Sequence, residues 1–207
     1  MLVGDQREAH AEMVPCTRVK PLARARARLE ELGLLLLQDP ELPNLAALCA
    51  GETVRGSWWG HRAGKLIFQV ASELEDRPDV TTAKLVSGKV TFVDRAHFPL
   101  LIAVGSAKES WQLEGLTREA KRLLTRVESE GGVSEGGREA KLLEARLLVH
   151  TRQVHTESGK HALVLSGWAE FRKSEKIRRC PSAAVAKKRL EELMAKLGPT
   201  ARAPWQD

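Results

Sequence analysis

Three cysteines in 207 residues, Cys16, Cys49 and Cys180, lie far apart, with no Cys-x-x-Cys pair and no histidine at zinc-ligand spacing. That argues against a cysteine-based metal site and fits reduced thiols in a cytoplasmic protein. Long apolar stretches are also missing. The run Leu34 to Leu37 is far too short to cross a bilayer, and the acidic N-terminus lacks the basic-then-apolar order of an export signal. No membrane partner is expected. No Gly-x-x-x-x-Gly-Lys-Ser/Thr phosphate loop and no Gly-x-Ser-x-Gly nucleophile elbow occurs, so neither of those chemistries is written in the chain.

What the chain does have is enough apolar residue for a real core, 43% of the total, and a cation excess of 33 against 27 that leaves a net charge of +6. Such a balance favours a polyanion such as nucleic acid. Part of it reflects a general richness in Ala, Leu, Arg and Gly, a bias that some genomes impose on every protein. Residues 1–18 mix Gly, Pro, acids and bases without period, and a disordered leader is expected there. Then Leu22, Ala25, Leu29, Leu32 and Leu36 recur at helical spacing behind Pro21. The outer face, with Lys20, Arg24, Arg26 and Arg28, reads first as solvated and only second as a phosphate grip. Helices are expected over Asn44–Cys49 and Lys65–Leu74, the latter with Ser57 as its N-cap, then a further helix or buried segment over Arg95–Val104 and a short helix over Lys108–Leu113. Between them Val80–Val86 and Lys89–Val93 flank Ser87-Gly88, a hairpin signal. Residues 19–113 thus form an N-terminal helical unit with one hairpin.

Residues 114–172 read as a second unit. Leu116, Ala120, Leu123, Leu124 and Val127 mark one face of a helix over Thr117–Glu130, capped by Thr117. A glycine-rich break, Gly131–Gly137, leads to a helix over Arg138–Val149, with Ala140, Leu143 and Leu147 inside and Arg138, Lys141 and Ala145 outside. Val149–Thr156 and His161–Leu165 then flank Glu157-Ser158-Gly159-Lys160, a second hairpin. Both hairpins carry Ser-Gly-Lys, at Ser87 and at Ser158, so an internal duplication of a helix-plus-hairpin unit is one reading. Residues 173–207 complete the chain with a basic segment, a helix opened by Pro181-Ser182 whose Ala186, Leu190, Leu193 and Leu197 face inward, and a loose tail after Gly198-Pro199.

Helix, turn, helix and basic-tipped hairpin over residues 116–171 resemble the winged-helix DNA-binding superfamily. The resemblance implies a second helix in the major groove and a wing on the backbone or minor groove. It assigns Arg138, Lys141 and Arg146 to the helix contact and Arg152, Lys160 and His161 to the wing, where guanidinium and ammonium groups meet phosphates and guanine edges. The glycine-rich break is longer than a tight helix-turn-helix connection. Glu139, Glu144 and Glu157 keep the local charge low. Bacterial DNA glycosylases built from several winged helices are similar in their hairpins, but their Gln-x-Gln element has no match here, so their activity is not carried over.

Trp58 and Trp59, with His61 and Lys65, are the most unusual local feature. Exposed indoles would stack on an unpaired or flipped base, with His61 and Lys65 supplying hydrogen bonds or charge. Large apolar rings more often fill a core, and that is the expectation for Trp59, with Trp58 left open between the two. His150, His155 and His161 with Glu157 raise a metal or acid/base possibility, yet hairpin histidines are more often hydrogen-bonded surface residues. No metal and no cofactor are expected. The sequence therefore predicts a mainly helical α+β protein with a winged-helix-like module and two short hairpins. Its expected function is non-enzymatic binding of duplex DNA. Alternatives are a nucleic-acid repair or modifying enzyme with a base pocket at Trp58–Lys65, and a protein-interaction module.

Overall fold

The computed structural model describes residues 20–155 and 161–206. Among these the protein is α+β and mainly helical, with two small three-stranded antiparallel sheets. The first helix, α1 (Pro21–Leu32), stops where Gly33 takes a left-handed conformation at φ 75° and donates its N–H to the Leu29 carbonyl. Leu34–Leu36 then run as a strand, β1. The expected continuation of the helix through Leu36 is thereby corrected: all three leucines are fully buried, Leu35 on one sheet face and Leu34 and Leu36 on the other. A strand buried on both faces reads as an unbroken apolar run, which periodicity alone does not separate from a helix.

Next come α2 (Leu45–Ala50), capped by the Asn44 side chain, a single 3-10 turn over Trp58–Gly60, and α3 (Gly64–Glu75). Ser57 makes no side-chain cap; the 3-10 turn intervenes between it and α3. The hairpin β2 (Val80–Val86) and β3 (Lys89–Asp94) turns at Ser87 and Gly88, both at positive φ. The strand order is β1-β3-β2, with Leu35 opposite Phe92 and Leu34 opposite Val93. Leu35 and Phe92 pack with Ala25, Leu29, Val70 and Leu74 of α1 and α3. Each such fully buried side chain contributes roughly 1.5–3 kcal/mol.

The opposite face of this sheet is covered by α4 (Phe98–Gly105) and by elements far along the chain. A short helix α5 (Ser110–Leu113) leads to the second unit: α6 (Arg118–Glu130), a two-residue strand β4 (Val133–Ser134), α7 (Arg138–Ala145), β5 (His150–His155) and β6 (His161–Ser166). The Thr117 hydroxyl accepts the Ala120 N–H, as its place before α6 demands. The strand order is β4-β6-β5, again first, third, second. In both units the helix before the hairpin is followed by four residues, 76–79 and 146–149, before the strand begins. The second unit lacks only a counterpart of residues 37–63, the segment with α2 and the 3-10 turn.

Two more helices close the fold, α8 (Trp168–Ser174) and α9 (Ala183–Leu197). Ala186, Leu190, Leu193, Met194 and Leu197 of α9 bury against Leu34, Leu36, Leu85 and Val93 of the first sheet and against α4. The tail is not loose. Arg202 exchanges hydrogen bonds with Ser87, Ala203 is buried, and Trp205 packs on Trp111 while donating to Glu191.

Candidate nucleic-acid interface

Among the described residues, those assigned to the second unit do not share one surface. Arg138 and Lys141 are exposed, three positions apart on α7. Arg146 is tied down: its guanidinium donates to the Trp111 carbonyl, and the Gln112 amide donates to the Arg146 carbonyl. Arg152 lies on the sheet face away from α7. The Thr151 hydroxyl donates to Glu144 of α7, so strand alternation turns Arg152 to the opposite face with His150. There it lines a cleft of about 710 Å³ between the units, with Thr81, His150, Ser166, Glu170 and Glu75. Lys160 lies outside the described residues, as does Glu157, and His161 is placed only by its backbone pairing with His155. Nearby acids further dilute this face, with Glu135 already paired to Arg126.

In the cleft, His150 is buried and neutral at ordinary pH. Burial, helped by Arg152, pushes its pKa down to about 4. Its Nε2 sits 2.8 Å from the Thr81 hydroxyl, its Nδ1 3.3 Å from that of Ser166, and its ring stacks on Phe171 at 4.1 Å. Both ring nitrogens are therefore engaged, Nε2 with Thr81 of the first unit and Nδ1 with Ser166 of its own sheet. Burial and the neighbouring Asp76 raise the Glu75 pKa. No cluster of three or more metal-ligating side chains occurs among the described residues.

At the other end of α3 the picture differs. Between Glu52 and Glu73 the chain has no acidic residue, against Arg55, His61, Arg62 and Lys65. Arg55, Arg62, Lys65, Phe68 and Gln69 are exposed. The last three follow one helical face, at spacings of three and one, and Lys65 stands in the first turn, where the helix dipole adds positive potential. Trp59 is 65% exposed, which corrects the expectation that it fills the core. Trp58 takes that role instead, packing on Ala46, Val54 and Ile67, and carries Trp59 stacked on it at 4.1 Å between ring centroids. Phe68 lies 5.4 Å from Trp59.

The turn that presents these rings is held from several sides. Gln38 donates from one amide nitrogen to the carbonyls of Val54 and Gly56. His61 Nδ1 accepts the Ala63 N–H, while Glu52 bridges to Arg62 at 2.8 Å and lies 3.4 Å from His61. Gly64 is required by close approach: a Cβ there would come within 2.9 Å of the Trp58 carbonyl oxygen and 3.0 Å of that of Trp59. Sequence reasoning singled out the aromatic pair but ranked it below the second unit. The acid-free run between Glu52 and Glu73 is a signal that reading did not use. No family model, no curated protein and no solved structure matches the chain.

Proposed function

We propose that the protein is a non-enzymatic nucleic-acid-binding protein that grips duplex DNA chiefly through the N-terminal unit, with α3 as the groove-facing helix. Support comes from the order of elements in residues 21–94. Helix, strand, helix, helix and hairpin, with the sheet ordered first, third, second, resembles a winged-helix unit more fully than residues 116–171, which lack one of those helices. On this reading the exposed N-terminal half of α3 faces bases through Gln69 and phosphates through Lys65, and Arg62, just before the helix, exchanges its exposed bridge to Glu52 for a phosphate. The second unit contributes Arg138 and Lys141 as a weaker contact.

The observation that carries the proposal is the absence of any acid between Glu52 and Glu73 on the turn and helix that the fold leaves exposed. Fluorescence anisotropy with labelled duplex DNA across a salt series tests it. Binding should weaken steeply as salt rises, because each phosphate contact releases counterions. Failure to bind duplex even at low salt would remove the proposal.

A further inference from the structure

We infer that the outer face of Trp59 is a stacking platform for an unpaired nucleobase, so that the preferred ligand is a nucleic acid with a disrupted or single-stranded base. The inference rests on the nucleic-acid reading above and names the ligand class at the same surface.

Trp59 is 65% exposed although a stacked Trp58 already covers one of its faces. An indole left in water forgoes the burial that normally stabilises a fold, whereas the turn beneath it is fixed by Gln38, by His61 and by the close approach of Gly64. The backbone therefore holds the ring in place, and with Trp58 stacked on it and Phe68 beside it most of its surface still faces solvent. A planar, polarisable ring backed by a second indole is complementary to the flat face of a base, and stacking tolerates any base because each has such a face.

The surroundings select nucleic acid over an apolar peptide. Arg55, Arg62 and Lys65 are exposed and close to the rings in sequence, and Glu52, which bridges Arg62 across the surface, is the acid held at this turn; a phosphate beside the stacked base meets the Lys65 ammonium and competes with Glu52 for Arg62. The ring stands at the outer surface of its turn, at the opposite end of α3 from the cleft lined by Glu75 and His150. The base is accordingly held open to solvent on a platform.

The test compares one fluorescent DNA duplex with the same duplex carrying a single bulged base, and repeats the pair in RNA. The full-length protein should bind the bulged form about tenfold more tightly. Trp59→Ala should bring the bulged form down to the level of the paired one and leave paired-duplex affinity unchanged. Its melting temperature should fall only slightly, because most of the side chain is exposed and only its ring contacts to Trp58 and Phe68 are lost. Gly64→Ala keeps both indoles but displaces the turn, and it should lose the same preference. A preference in either the DNA or the RNA pair supports the inference and names the sugar.

Equal affinity for paired and bulged duplex would overturn the inference while leaving the duplex-binding reading in place. A bulge preference that survives Trp59→Ala would overturn it as well. Absence of binding to every probe at low salt would overturn both.

Discussion

The Nε2 atom of His150 lies 2.8 Å from the hydroxyl of Thr81, a contact between residues 69 positions apart that fastens β5 of the second unit to β2 of the first. A neutral ring is required, since an imidazolium there would be a buried charge with Arg152 as its neighbour.

Stability should consequently fall as pH drops from about 6.5, the ordinary imidazole value, towards about 4, its value in the fold. In that window the unfolded chain takes up a proton that the folded one refuses, so lower pH favours unfolding; above 6.5 the contribution is fully present. The loss is bounded at about 3 kcal/mol. Burial also lowers the His97 pKa, which adds in the same direction. Urea melts of the wild type and His150→Gln at several pH values check this: the variant keeps a hydrogen-bonding group, and its stability should depend less on pH across the window.

Gly105→Ala should be strongly destabilising. A Cβ at that position would lie 2.1 Å from the Trp168 indole nitrogen, which itself donates to the Leu147 carbonyl at 2.7 Å. The clash is expected to cost about 1–3 kcal/mol or more. Combining it with Trp168→Phe should cost less than the sum of the two single changes, because both act on one contact. Thermal melts of the three variants supply the comparison.

Asp39 accepts from three donors, and Asp39→Asn removes its charge and replaces the oxygen facing Lys89 with a donating NH2. Its Oδ1 takes the N–H groups of Glu41 and Leu42, and its Oδ2 lies 2.5 Å from Lys89 Nζ. Burial works to raise its pKa, but these partners outweigh it and hold the carboxyl below the usual range. The variant should lose about 1–3 kcal/mol at neutral pH, and the difference from wild type should shrink in acid, below about pH 3.8. Chemical denaturation at the two pH values measures it.

For binding, Arg62→Ala with Lys65→Ala should weaken duplex affinity and reduce the slope of log K against log salt by about 2. Arg138→Ala with Lys141→Ala should change it less. Anisotropy titrations of both double variants rank the two faces; a larger effect at Arg138 and Lys141 would move the principal contact to the second unit.

Much of the fold was legible in the residues. Thr117, Asn44 and Ser182 mark the helix starts that their side chains cap, and Ser87-Gly88 marks a real hairpin. What was not legible depends on tertiary contacts. Leu34–Leu36 form a strand because β3 lies beside them, and Val133–Ser134 pair only because β6 returns alongside. The helix α8 begins at Trp168 under a chain that otherwise reads as basic loop. For the candidate site, the residue types were found but not their directions. Strand alternation sets the face of Arg152, which the sequence reading did not assign, and Trp59 points opposite to expectation because Trp58 packs on the core in its place.

The covering of the first sheet by α9 also has a meaning for synthesis. Leu34, Leu36, Leu85 and Val93 are made early, while the helix that shields them, Ala183–Leu197, is translated near the end of this sequence. Until that helix arrives, a nascent chain with its first hairpin already formed presents an apolar sheet face covered only in part by α4, the kind of surface on which partly made chains aggregate and to which chaperones bind.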